Sequence, residues 1–192
     1  MKKENILGFD ICNTNINNLV TSIFNDFNKN ICNFIVNINP EIIVNNYKNK
    51  HVIDIFNKEK YQIPDGIGIV YASKIKKCNI KNRITGIDLM QKICKESVKY
   101  DSKIFLYGGK DGIANKTKLE LERLYPKINI VGVCNGYTDE NTIINTIKDS
   151  NANILFVALG SPKQEQFIMN NRNKLDNIKI FMPVGRQFWC NQ

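Results

Sequence analysis

One histidine, one tryptophan and no Cys-x-x-Cys pair stand in the 192 residues of this chain, and each shortage removes a class of chemistry. A lone His51 in a helical context reads as a surface or packing residue. The six cysteines (Cys12, Cys32, Cys78, Cys94, Cys134, Cys190) are scattered without metal-like spacing. Such residues are usually small core side chains, which argues against disulfides and a Cys/His zinc site. No apolar run approaches membrane-spanning length, because Asn or Lys interrupts each one. The start, Met1-Lys2-Lys3-Glu4-Asn5, lacks the apolar stretch and small-residue cleavage site of a signal peptide, so the expected location is cytoplasmic. A Gly-x-Gly-x-x-Gly fingerprint and a Walker A loop are both missing, which disfavours hydride transfer and ATP hydrolysis. An Asp-x-Asp triplet is missing too.

What is present is a basic, globular composition, with a formal charge of +9 and 43% apolar residues. A basic protein favours polyanions: nucleic acid, an anionic membrane surface or a phosphorylated substrate. The lysines are dispersed, and Lys74, Lys76 and Lys77 form the only tight cluster outside the N-terminus. Basic residues interleaved with stacking aromatics are absent, so nucleic acid is not an expected partner.

Along the chain, strand-like and helix-like segments alternate. Ile6 to Ile11 reads as a strand, with Thr14 capping a helix to about Asn28. Asn33 to Ile38 is a second β run, ended by Asn39-Pro40-Glu41, an N-cap with Pro and an acid in the first turn. The extended Tyr61-Gln62-Ile63 turns through Pro64-Asp65-Gly66 into a helix to about Lys76. A loop holding Arg83 leads to a helix from Gly86 to Tyr100. The second half repeats the pattern: strand 103–107, helix 111–124, strand 128–133, helix 139–148, strand 153–159, a helix to about Asn171, and strand 178–184. Such alternation predicts an α/β fold, a Rossmann-like, mostly parallel sheet with helices on both faces. No linker divides it, so residues 1–185 are expected to form one domain.

Asp65 is the most informative residue, an acid at a strand-to-helix turn, where open α/β sheets hold ligands. The competing reading is a helix cap. Three further strand ends carry small residues before a helix: Gly108-Gly109, Asn135-Gly136-Tyr137 and Gly160-Ser161-Pro162. Glycine there admits a ligand to the backbone, and the following helix N-terminus favours phosphate. Three at one edge point to a nucleotide-diphosphate cleft. Arg83 could grip a diphosphate in forked fashion; the alternative is a surface Arg paired with Asp88. Asn37, Asn39, Gln164 and Glu165 complete the polar candidates.

Asn37-Ile38-Asn39-Pro40-Glu41, Pro64-Asp65-Gly66-Ile67-Gly68, Arg83-Ile84-Thr85-Gly86-Ile87-Asp88, Gly108-Gly109 and Gly160-Ser161-Pro162-Lys163-Gln164-Glu165 occur in that order. In order and spacing this resembles the WecG/TagA/CpsF family of glycosyltransferases, over nearly the whole chain. The teichoic acid branch is the nearest in pattern. The resemblance implies inverting transfer of N-acetylmannosamine from a UDP-sugar donor to N-acetylglucosamine on undecaprenyl diphosphate, at the inner face of the cell membrane. It implies Asp65 as general base, Asn39 placing the sugar and Arg83 steadying the departing diphosphate. Gly108, Gly109, Gln164 and Glu165 would line the donor site. Asn37 stands where relatives often carry Thr. No cofactor is implied, and no metal: Arg83 and helix N-termini would take the metal's place. The oligomeric state stays open, a homo-oligomer included.

After Gly185 the text leaves the family pattern, with Arg186-Gln187-Phe188-Trp189-Cys190-Asn191-Gln192 in place of a glycine-rich segment and tail. Codons for these residues, read in a shifted frame, can restore family-like text. The expectation is a one-base insertion that scrambled residues 186–192. That leaves a second reading: a weakly active or inactive member that only binds a UDP-sugar or a partner. A nucleotide-sugar epimerase is disfavoured by the missing dinucleotide fingerprint.

Overall fold

Strands buried on both faces need apolar side chains at every position, and Ile154–Ala158 (ILFVA), buried throughout, shows the pattern. The computed structural model describes residues 1–185; the divergent stretch 186–192 lies outside the described residues. The elements are β1 (Lys3–Ile6), β2 (Phe9–Cys12), α1 (Ile16–Asn28), β3 (Asn33–Ile38), α2 (Pro40–Asn46), α3 (Lys50–Asn57), β4 (Tyr61–Pro64), α4 (Ile67–Ile75) and α5 (Gly86–Ser97). There follow β5 (Lys103–Gly108), α6 (Ile113–Leu124), β6 (Asn129–Cys134), α7 (Glu140–Asp149), β7 (Ile154–Ala158), α8 (Lys163–Asn171) and β8 (Ile180–Pro183).

Among the described residues six strands form one parallel sheet in the order β4-β3-β8-β7-β5-β6. Alternation along each strand splits the core in two. Ile104 and Leu106 of β5 face the layer of α1, α5 and α6, while Phe105 and Tyr107 face α7 and α8. The helices bury one stripe each, as Leu89, Met90, Ile93 and Cys94 do on α5. The α/β, Rossmann-like expectation holds.

Three local readings need correction. The stretch 6–11 is two strands of an antiparallel hairpin, because Leu7 and Gly8 take positive φ (50° and 97°) and reverse the chain. The cap of α1 is Asn15, whose side chain accepts from Asn18 N–H, one residue after Thr14. The α5 region ends at Ser97 and tightens into a 3₁₀ turn at Val98–Tyr100. Of the cysteines, Cys12 and Cys94 are core residues as expected, but Cys32 is exposed.

Candidate active site

In a parallel sheet every strand ends on the same edge, so the turns after β3, β4, β5, β6 and β7 share one rim. The connection from β5 runs outward to β6, and β7 returns on the other side of β5. That reversal makes the ends of β5 and β7 the switch point of the sheet, the usual ligand position in such folds.

At this switch point the turns meet through their backbones. Gly108 takes φ 129°, and a Cβ there would lie 2.5 Å from the Ala158 carbonyl oxygen, so only glycine fits. Gly109 N–H donates to Ala158 O (3.1 Å), and Gly136 N–H donates to Gly109 O (2.9 Å), tying the turns together. Asn135 shapes its own turn: its Oδ1 accepts from Tyr137 N–H at 2.9 Å while its Nδ2 donates to Asp111. Tyr137 itself is exposed. Gly160, Ser161 and Pro162 lie at the end of β7, and Gln164 Oε1 accepts from Gly160 N–H at 3.2 Å. Gln164 Nε2 donates to Glu165 Oε1 at 2.9 Å. Glu165 is buried, its Oε2 has no hydrogen-bond partner among the described residues, and burial pushes its carboxyl above the ordinary range. Ser161, Pro162 and Glu165 border a cavity of about 370 Å³ closed by α2 and α3.

The second group sits at the β3–β4 end. Asp65 does not cap its helix; the cap position of α4 is Gly66, with no side-chain bond. Its backbone is pinned instead, Asp65 N–H donating to Ile38 O at 2.8 Å. Burial raises the Asp65 carboxyl above its usual range, opposed by the Gly86 N–H and the Arg83 charge, while Asp88 adds to the rise. Asn37 is buried beside it, Nδ2 donating to Pro183 O at 3.0 Å and Oδ1 without a partner among the described residues. Gly86 is where α5 meets this pair: a Cβ there would lie 2.7 Å from Asn37 Nδ2 and 3.7 Å from Asp65 Oδ2. Asn39 works structurally, its Oδ1 accepting from Ile42 N–H at 2.8 Å to cap α2. Arg83 is exposed and forms no salt bridge among the described residues; Asp88 Oδ2 accepts instead from the Thr85 hydroxyl at 2.6 Å. Arg83 borders a cleft of about 400 Å³ that Asn15, Lys92, Lys95 and Tyr125 also line.

Asp65, Asn37, Arg83 and the α5 N-terminus thus converge, and the glycine turns form a second group. Between β4 and β7 lie three strand spacings, about 14 Å at about 4.8 Å each. Sequence reasoning passed over the Gly86 amide, Lys92 and Lys95. The signals were there: Thr85-x-x-Asp88 is a helix start, and Asp88, Gln91, Lys92 and Lys95 repeat at one-face spacing.

Fold and geometry together define a doubly wound α/β protein with glycine turns at the carboxyl edge of its sheet and a half-buried acid three strands along the same edge. Residues 4–189 match the family described as "Glycosyl transferase WecG/TagA/CpsF family". The chain belongs to that family. It is 34% identical over 189 residues to the N-acetylglucosaminyldiphosphoundecaprenol N-acetyl-beta-D-mannosaminyltransferase of Staphylococcus aureus (strain MRSA252), covering 95% of this chain and 73% of that one. To the protein of the same name from Bacillus subtilis (strain 168) it is 30% identical over 175 residues, 90% of this chain and 68% of the other. Among the described residues no helix is long and apolar enough to cross a membrane.

Proposed function

We propose that this chain transfers N-acetylmannosamine from UDP-N-acetylmannosamine to N-acetylglucosamine on undecaprenyl diphosphate, with inversion, from a peripheral position at the inner membrane face. The names of its relatives support the reaction, and one observation carries the mechanism. The Asp65 carboxyl sits at the sheet edge, engaged by the Gly86 N–H and the Arg83 field rather than spent on capping its own helix.

The division of labour follows from position. The crevice between Gly108-Gly109 and Gly160-Ser161-Pro162, with Asn135, Gly136 and Tyr137 beyond it, takes the uridine diphosphate. The sugar end then points along the rim towards Asn39 and Asp65. Asp65 accepts the proton of the acceptor hydroxyl as its oxygen attacks C1 of the donor sugar. The C1–O bond breaks with its electron pair, and UDP leaves carrying the added negative charge. Arg83, exposed and without a salt bridge among the described residues, is available to that charge. Buried Gln164 and Glu165 shape the donor wall from behind, since the Gln164 amide is already bonded to Gly160 and Glu165.

The test is UDP-N-acetylmannosamine with a short-chain lipid-diphosphate N-acetylglucosamine, following disaccharide and UDP release. The chain turns over, and Asp65→Asn loses about 10²- to 10⁴-fold in kcat with UDP binding retained. A variant as fast as the parent removes Asp65 from the chemistry.

A further inference from the structure

The segment between Asp65 and Asp88 carries five cations, Lys74, Lys76, Lys77, Lys81 and Arg83, and not one acid. It also holds a mostly apolar helix that is covered on one side only, with Lys74 Nζ 5.8 Å from the Tyr71 ring centre on its open side. In α4, Ile69, Val70 and Ser73 are buried, while Ile67, Tyr71 and Ile75 are 51%, 57% and 81% exposed. Those three lie at i, i+4 and i+8, which places them in one stripe. Soluble proteins leave such stripes bare where something else covers them.

We infer that α4 docks on an anionic lipid surface, with Ile67, Tyr71 and Ile75 entering the headgroup boundary and Lys74, Lys76 and Lys77 meeting the lipid phosphates. Charge decides the occupant. An apolar stripe flanked by lysines, with no acid across 22 residues, suits the negative interface of a bilayer. A second copy of this chain would set the same cations against themselves.

The placement couples docking to the site. Gly66, the cap of α4, follows Asp65 directly, and Pro40 packs so closely on the helix that a Cβ at Gly68 would lie 2.6 Å from its Cγ. The helix is therefore fixed to the rim that carries Asn39 and Asp65. A bilayer against α4 presents lipid-borne substrates next to Asp65. This use of the surface rests on the transferase reading above; the docking itself does not.

The experiment is co-sedimentation of the full chain with vesicles of phosphatidylcholine alone or mixed with phosphatidylglycerol. The chain binds the anionic vesicles and not the neutral ones. Replacing Lys74, Lys76 and Lys77 together by Gln weakens binding about a hundredfold, at about fivefold per lysine. Ile75→Glu weakens it at least tenfold, and because Ile75 is exposed the variant keeps the parental Tm. Equal binding to both vesicle types, no binding, or full binding by Ile75→Glu overturns the proposal. So does a parental dimer that Ile75→Glu dissociates, since a second copy would then own the stripe. Turnover separates the two ideas. Ile75→Glu loses rate on vesicle-embedded acceptor and keeps it on a soluble short-chain acceptor, whereas a parent inactive on both sinks the transferase reading and leaves the vesicle result standing.

Discussion

Gly86→Ala is the sharpest probe of the site, because it adds one methyl group and nothing else. The new Cβ would lie 2.7 Å from Asn37 Nδ2, where ordinary contact begins at 3.4 Å, so something must give by about 0.7 Å (3.4 − 2.7). Asn37 is poorly placed to yield, being buried and held to Pro183 O at 3.0 Å. If Asn37 moves, its donor leaves that carbonyl; if α5 moves instead, the Gly86 N–H withdraws from Asp65. Overpacking of this kind costs about 1–3 kcal/mol, offset by up to about 1 kcal/mol of helix propensity. With the full offset the net is about 0–2 kcal/mol, which lowers Tm by up to about 8 °C in a chain of this size. Activity should suffer more than stability, since displacements near 1 Å cost up to about a hundredfold in rate. The expected result is a folded protein with kcat/KM down roughly ten- to a hundredfold and UDP affinity unchanged. Calorimetry and the transfer assay read the two quantities separately. A variant with parental Tm and parental turnover refutes the close packing of Asn37, Asp65 and Gly86.

Other perturbations follow from the same geometry. Asp65 is an acid raised by burial, so its neutral form is favoured in the fold, and its contribution to stability is present at low pH and lost as pH rises through its range. Asp65→Asn is therefore expected to raise Tm at neutral pH while removing turnover; a lower Tm contradicts the assignment. Arg83→Gln removes a charge that holds the Asp65 carboxyl down, so the acidic limb of the kcat/KM profile moves to higher pH, and an unmoved limb breaks the link. Gly108→Ala drives a Cβ to 2.5 Å from the Ala158 carbonyl at φ 129°; a loss of about 3 kcal/mol or more and of UDP binding is expected, and equilibrium unfolding checks it. Away from the rim, Asp26 accepts from Lys60 Nζ at 2.6 and 2.9 Å and from Tyr61 OH at 2.7 Å. Burial opposes its charge, but these donors hold its carboxyl below the usual range, so its stabilisation is lost as pH falls through that range. Asp26→Ala should cost about 2–3 kcal/mol and flatten acid unfolding, measured by urea titration at two pH values.

Much of the fold was legible in the text. Doubly buried strands must be apolar at every position, so the runs Ile104–Tyr107 and Ile154–Ala158 by themselves point to a parallel sheet. The hairpin was not legible, because 6–11 is apolar at both ends and only the positive φ of Leu7 and Gly8 divides it. The site was half visible. Gly108-Gly109 and Asp65 stand at strand ends, where local chemistry marks a turn. Asn39 drew attention by its motif, yet its Oδ1 is spent on capping α2. Gln164 and Glu165 likewise lie buried behind the turn they follow.

The basic balance and the alternation of short apolar strands with amphipathic helices were settled by the sequence, because composition and short-range periodicity are local. The meeting of Asn37, Asp65 and Gly86 was decided only by the tertiary structure. Strand order and the pairing of a helix N-terminus with a strand end bring together residues 21 to 49 positions apart. Whether a polar side chain is spent on its own turn or left facing the crevice depends on that packing, which no local pattern encodes.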